Sequence, residues 1–465
     1  MMKKRGLKMP TAFTVLIALI FVVGIITWFI PEVKSASIAD MLGAPVAGFE
    51  SALGVSLFVL VLGGFLGIVM KTGALNAAIT TVILKLNGKE LYMIPILMFL
   101  ISLGGTTYGM AEETIAFYAL VTATMVAAGF DSLTAAATIL LGSTTGVLGS
   151  TVNPFVVSSS VSALVESGIV IDQTIIIAVG AISWLITYVI AACYVLRYAK
   201  KVKANKAATL LTKAEQEAVV EEYGVEKTAE VVFSGKQKLV MLLFAFSFVV
   251  MIIGMIPWPN FGITFFDGWS SYLTGNPLGL WYFSDLSTWF LIMSVVIGLV
   301  YGLKEKEIVS SFLSGAADLI SVAMVIAVSR GISVIMSTTG LDGYILEAAS
   351  NALAGTSSIL FTAATYLVYI VLSFLIPSSS GMATVSMPII GPLTQSLNLS
   401  PEITICILSG AVALVNAISP TSGVTMGGIA ISRVEFGTWL KFVWKIFLIL
   451  VIVHIAILSA AMAIL

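Results

Sequence analysis

The sequence predicts an all-α polytopic membrane protein made of two inverted-topology repeats, each with a re-entrant hairpin and a broken transmembrane helix. Three observations predict it: the composition, the series of long apolar runs, and interrupted motifs that recur at a near-constant offset. Of 465 residues, 59% are hydrophobic and 10% are charged, with a mean hydropathy of +1.08. Soluble domains hold about 45–50% apolar and about 25% charged residues. So little charge cannot coat a soluble body of this size, so lipid must solvate most of the surface. A net charge of −1 excludes a general basic surface for nucleic acid. The two cysteines, Cys193 and Cys406, lie in apolar runs and argue against a disulfide framework or a thiolate metal site. No metal-ligand, nucleophile-elbow or phosphate-loop pattern occurs, which argues against an enzyme and a bound cofactor.

Candidate crossings fall at 9–30, 51–71, 132–165, 172–197, 239–257, 286–303, 307–337, 401–434 and 438–464. Lys3, Lys4, Arg5 and Lys8 precede the first run, whose length of about 20 residues suits an uncleaved helix better than a signal peptide. Segments 90–130 and 359–399 differ: each has two short arms around a Gly/Ser/Thr-rich centre. An arm such as Leu91 to Gly104 makes roughly 21 Å of helix, short for a span and suited to re-entrance. With a cytoplasmic N-terminus, Lys71, Lys85, Lys89, the 197–238 stretch, Lys304, Lys306, Lys441 and Lys445 all fall inside, and the C-terminus falls outside. That is the positive-inside pattern, with Lys34 the exception, and it requires both hairpins to return to the side they entered from. Segment 258–285 is outside and aromatic. Segment 198–238 reads as a cytoplasmic linker, with Ala207 to Val220 a short amphipathic helix. The expected divisions are 1–50, a first helix and outer loop; 51–197, the first repeat; 198–238, the linker; 239–306, scaffold helices; 307–437, the second repeat; and 438–465, the last helix.

The repeat shows in punctuation. Residues 67–73 (GIVMKTG) match 334–340 (VIMSTTG), 104–110 (GGTTYGM) match 377–382 (PSSSGM), and 149–154 (GSTVNP) match 416–423 (NAISPTSG). Gly73 to Gly340, Gly109 to Gly381 and Pro154 to Pro420 are separated by 267, 272 and 266 residues. Charge places the helix at 51–71 running inward and that at 307–337 running outward. Opposed repeats with paired interrupted helices are the sign of an alternating-access carrier with a midplane site. Small residues that merely allow tight packing explain scattered glycines, but less well the matched Ser/Thr/Asn clusters.

Unpaired backbone costs several kcal/mol per group in hydrocarbon, so a mid-depth break persists only where protein, water, ion or solute satisfies it. Pro154 and Pro420 obstruct continuous helices. The half-helix that follows each break presents free N–H groups and favours a carboxylate. Ser150, Thr151, Asn153, Ser419, Thr421 and Ser422 add hydroxyl and amide groups. Freed carbonyls suit Na⁺ or a proton path, with a candidate Na⁺ position near Ser150, Asn153, Asn416 and Thr421. Glu112 and Glu113 follow the first hairpin centre, and an ionised pair there needs a cation, a proton or a solute amine. Adjacent helical residues point about 100° apart, so which one faces the site is open. Arg330 reads first as an interfacial residue or as a partner of Asp342, and only then as a carboxylate ligand. Arg433 and Glu435 read as an interfacial anchor and pair, His454 as core or lipid-facing filler, and Asp131 as a helix cap. The residues thus favour a carrier for an amino acid, its carboxylate on the half-helix N-termini and its cationic group on Glu112 or Glu113. A channel or membrane-embedded enzyme is the weaker alternative.

Thr27-Trp-Phe-Ile-Pro31, 109–118 (GMAEETIAFY), Ser329-Arg-Gly-Ile332 and 377–383 (PSSSGMA) resemble the YfcC-type carriers. These belong to the DcuC-like, or anaerobic C4-dicarboxylate carrier, group of the ion transporter superfamily, and the resemblance covers nearly the whole chain. It implies a scaffold-plus-transport-domain architecture, an elevator-type mechanism in the cytoplasmic membrane and a homodimer. It implies substrate and coupling ion, Na⁺ or H⁺, at both broken helices and both hairpin tips, here Thr106 and Thr107 in the first and Ser378, Ser379 and Ser380 in the second. The implied substrate is a basic amino acid, as in arginine/ornithine exchange. The alternative is Na⁺- or H⁺-coupled symport of a C4-dicarboxylate or short-chain carboxylate.

Overall fold

Two pairs of helices, Ile38–Ser51 with Leu53–Lys71 and Glu305–Asp318 with Ile320–Thr339, pack against each other. The structure, a computed structural model, describes residues 12–75, 77, 78, 81, 89–223, 233–255 and 258–465. Residues 9–11, 256 and 257 of the expected spans, and Lys3, Lys4, Arg5, Lys8 and Lys85, lie outside the described residues. Among those described, eight helices are long and apolar enough to cross a membrane, or nine if one bent pair counts as a single span.

The first part runs through α1 (Ala12–Ile26), α2 (Ile38–Ser51) and α3 (Leu53–Lys71). The hairpin follows as α4 (Met93–Tyr108) and α5 (Ile115–Ala127), then α6 (Ser132–Leu148), α7 (Ser159–Glu166) and α8 (Gln173–Ala204). A linker helix, α9 (Lys213–Tyr223), precedes α10 (Gly235–Met255) and α11 (Phe283–Tyr301). The second part holds α12 (Glu305–Asp318), α13 (Ile320–Thr339), α14 (Leu341–Leu353), the hairpin α15 (Ser358–Leu375) and α16 (Ser379–Ser396), α17 (Pro401–Ile418), α18 (Gly423–Ile431) and α19 (Phe436–Ile464).

Four features depart from expectation. Residues 38–51 form α2, where an outer loop was expected. The run 307–337 is not one helix; α12 and α13 meet at Leu319 and differ in direction by 44°. The hairpin arms α4 and α15 have 16 and 18 residues, and the segments Glu90–Thr107 and Ser358–Leu375 are each long and apolar enough to cross a membrane, where an arm too short for a span was expected. The linker helix covers Lys213–Tyr223 and docks on the α18–α19 corner. There Arg433 pairs with Glu222 at 2.7 Å, not with Glu435, and Tyr223 Oη donates to Ile431 O at 2.6 Å. Buried Glu215 accepts from Glu435 N at 2.7 Å and Thr438 Oγ1 at 3.1 Å. Asp131 caps α6 as expected, accepting from Thr134 N at 2.8 Å.

The bends in the two long helix pairs match. Ala52, between α2 and α3, has φ −101° and ψ 9°. Leu319, 267 residues on, has φ −100° and ψ 4°. Helix α2 packs on α13, and α12 packs on α3. Glycines allow both contacts. A Cβ on Gly315 would lie 2.2 Å from Gly63 O, and one on Gly331 would lie 2.7 Å from Ala44 O. At the crossing, Ala52, Val55, Val59, Leu319, Ala323 and Ile326 form a small buried cluster. Beside it, α6 and α17 are buried over nearly all their residues, as expected for a helix enclosed on every side. Each leads directly into a break.

Candidate functional site

The first break follows α6 at Gly149. Gly149 and Gly180 let the chain press on α8: a Cβ on Gly149 would lie 2.3 Å from Trp184 N, and one on Gly180 2.4 Å from Ser150 O. Pro154 then opens a π-helical turn, Pro154–Ser158, that leads into α7. Asn153 satisfies the start of that turn. Its Oδ1 accepts from Phe155 N at 2.9 Å and Val156 N at 3.4 Å, and its Nδ2 donates to Ser150 Oγ at 3.0 Å. The first hairpin tip is tied to this break. Thr106 Oγ1 donates to Gly149 O at 2.6 Å, and Thr106 O accepts from Thr151 N at 2.8 Å. Gly109 ends α4 with φ +79°, a left-handed turn open to glycine, and a Cβ there would lie 2.5 Å from Asn153 Oδ1.

The second break is built in a related way. Ser419 Oγ accepts from Thr421 N at 3.1 Å, and Ser422 caps α18 by accepting from Thr425 N at 3.4 Å. Thr425 Oγ1 donates to Asn416 O at 2.5 Å, closing over a carbonyl at the end of α17. The second hairpin tip is tied in by Thr421 Oγ1 to Phe374 O at 3.1 Å and by Asn416 Nδ2 to Pro377 O at 3.4 Å. Ser378 caps α16 by accepting from Gly381 N at 3.2 Å. Ser409 Oγ, donating to Val147 O at 2.6 Å, joins the two broken helices.

Between the breaks and tips lies a cavity of about 110 Å³. Of the residues singled out from sequence, Glu112, Asn153, Ser378, Ser379, Ser380, Asn416, Thr421 and Ser422 line it. Thr106, Ser150, Thr151 and Ser419 stand behind the lining as the ties described above. Thr107 Oγ1 donates to Leu103 O at 2.7 Å on its own helix. The side chain of Glu113 lies outside the described residues. The cavity also takes Ser143, Thr144, Ser329, Tyr282 and Phe283, which the sequence did not assign to a site, and Arg330, for which a carboxylate ligand was the last of three readings. Arg330 comes from α13, and among the described residues it makes no ion pair, with Asp342 or otherwise. Asp342 is buried, and its Oδ1 accepts from Gly343 N at 2.8 Å. Glu112 and Arg330 are the only charged lining residues among those described. His454 is fully buried, with Nδ1 3.0 Å from Tyr366 Oη, so it belongs to the core and not to the lipid face.

The described lining offers hydroxyls, amides, helix ends and two opposite charges, the equipment of a binding site. A family model described as C4-dicarboxylate anaerobic carrier, DcuC, matches residues 38–463. The chain belongs to the DcuC family. As a DcuC-family member it is a multi-pass membrane protein and a secondary transporter, and its family is one of carriers and not of enzymes. It is 29% identical over 416 residues to an uncharacterised protein of Haemophilus influenzae, covering 89% of this chain and 76% of that one. It is 27% identical over 412 residues to the putative basic amino acid antiporter YfcC of Escherichia coli, covering 84% and 74%. Among solved structures it is similar to the YdaH transporter of Alcanivorax borkumensis, with a TM-score of 0.47 and 14% identity over 97% of this chain and 98% of that one. It is also similar to MtrF of Neisseria gonorrhoeae, described with a class of antimetabolite efflux pumps, with a TM-score of 0.44 and 15% identity over 98% and 95%.

Proposed function

We propose that this carrier exchanges amino acids across the cytoplasmic membrane, foremost basic ones such as arginine and ornithine. The observation that carries the proposal is Glu112, a carboxylate on the wall of the cavity formed by both hairpin tips and both helix breaks. A carboxylate facing an enclosed site asks for a cationic group. The similarity to the relative named a putative basic amino acid antiporter supports the same substrate class. A C4-dicarboxylate would bring a second negative charge toward Glu112, so the geometry favours it less.

The proposed cycle is alternating access by two inverted repeats. Its support is the pair of bends with matching dihedrals at Ala52 and Leu319, and the Ser56 Oγ to Ala323 O bond at 3.3 Å across the same offset of 267 residues. In this reading α1–α3 and α10–α13 form a scaffold, the hairpins and broken helices move as an elevator, and the protein works as a homodimer with its N-terminus in the cytoplasm. Solute exchange itself drives the cycle. A coupling Na⁺ would find a freer oxygen at Asn416 than at Asn153, whose Oδ1 already accepts two backbone N–H groups.

Counterflow of labelled arginine into arginine-loaded proteoliposomes tests the substrate. Glu112→Gln removes a charged hydrogen bond and is expected to lower exchange by about 10- to 100-fold, as the loss of about 1.5–3 kcal/mol predicts. Equal exchange by the variant and the wild type would refute the charge role.

A further inference from the structure

The two halves of the cavity differ in which polar groups they leave open. At the first break, Pro154 has no N–H, and Asn153 takes the N–H groups of Phe155 and Val156. Its helix start therefore has little left to offer an anion. At the second half, two helix starts face the cavity through Ser379 and Ser380 of α16 and Gly423 and Val424 of α18. Their caps take later N–H groups, those of Gly381 and Thr425. The N–H groups of these four residues have no acceptor among the described residues.

Arg330 adds a full positive charge to this side. It reaches the cavity because α2 holds the adjacent residue: Gly331 packs against the backbone of α2 at Ala44, and a residue one step away on a helix points about 100° elsewhere. Ser329, Arg330 and Ile326 of α13 then line the cavity together with the start of α18. Opposite in sign stands Glu112 on the first hairpin. Asn416 Oδ1, also at the lining, is buried and has no hydrogen-bond partner among the described residues, leaving one more acceptor for a donor.

We propose that the cavity is bipolar, with Arg330 and the open starts of α16 and α18 binding the substrate's carboxylate while Glu112 takes its cationic end. The site is thus a zwitterion site, and Arg330 is its specificity-determining residue for the carboxylate. This rests on the amino acid reading above and adds to it Arg330 and the choice of the α16 and α18 starts as the carboxylate's partners. Because Arg330 belongs to the bent helix and not to a hairpin or broken helix, carboxylate recognition is shared across the seam between those two parts.

The test compares arginine with agmatine, which is arginine without its carboxylate. Wild type, Arg330→Gln and Arg330→Lys are measured by ligand-induced thermal shift in detergent and by counterflow. The wild type is expected to prefer arginine by about 10- to 100-fold, the range for one charged hydrogen bond. Arg330→Gln should bring the two within about threefold, and Arg330→Lys should keep part of the preference. If Arg330→Gln fails to fold, a reduced preference in Arg330→Lys carries the test. Equal handling of both probes by the wild type, or a full arginine preference in both variants, overturns the carboxylate pole and leaves the basic amino acid reading standing. Exchange of succinate but not arginine, lost in Arg330→Gln, would keep the pole and overturn the basic amino acid reading.

Discussion

Asn153 shows how one side chain makes a break habitable. It is 1% exposed, and its amide answers two N–H groups with its oxygen and one hydroxyl with its nitrogen. A buried backbone N–H without a partner loses its hydration and gains nothing in return. Asn153→Ala is therefore expected to cost about 1–2 kcal/mol, the usual penalty for losing an N-cap. The check is thermal unfolding in detergent, and an unchanged melting temperature would contradict the capping role. Glu112 and Asn153 were legible in sequence because each adjoins a Gly- or Pro-marked interruption. Arg330 was not. It lies in an apolar run with no interruption beside it, and nothing local says which face of that run meets a break about 90 residues away in the chain.

At the scale of helices, glycine decides how near two backbones come. At the α3–α12 crossing, a Cβ on Gly63 would lie 2.4 Å from Gly315 O, and one on Gly67 2.4 Å from Ser311 O. Backbone cannot yield as a flexible side chain can. Gly315→Val should force the helices apart and destabilise the protein by about 1–3 kcal/mol, the usual penalty for overpacking. Gly343→Ala is the control, since nothing lies within 4 Å of a Cβ there and alanine favours the helix by about 0.5–1 kcal/mol. Melting temperatures that move alike in the two variants would count against the close crossing. Proline marks two breaks in advance, but the bends at Ala52 and Leu319 carry neither proline nor glycine at the turning residue. Both lie at the crossing of the two bent pairs, a contact between distant segments that local sequence rules do not see.

For the molecule as a whole, the polar linker is divided between the two parts of the fold. Lys203 pairs with Glu90 at 2.5 Å, Thr209 donates to Asp131 at 2.7 Å, and α9 docks on the α18–α19 corner, all beside the hairpin and broken helices. Lys236 and Gln237 instead reach Tyr301 O and Thr72 O, each at 3.3 Å, on the bent-helix side. The exposed Arg433–Glu222 pair adds at most about 1 kcal/mol, and salt screens it, so the buried Glu215 contacts matter more to the docking. The proposed orientation puts this face in the cytoplasm and the aromatic 258–285 segment outside. In a background lacking Cys193 and Cys406, an impermeant maleimide should label Tyr272→Cys on intact cells and Asn205→Cys only after permeabilisation. The opposite result would invert the topology.

By itself the sequence determined the membrane class, the spans near 51–71, 172–197, 239–257, 286–303, 401–434 and 438–464, and the two proline-marked breaks. These follow from the cost of placing charge or unpaired backbone in hydrocarbon, a cost paid locally along the chain. Only the tertiary structure decided that α2 and α13 grip each other through Gly48 and Gly331, and that Arg330 lines the cavity beside the starts of α16 and α18. Those outcomes depend on which distant surfaces meet, and hydropathy is blind to that because every apolar face is equally content against lipid or protein.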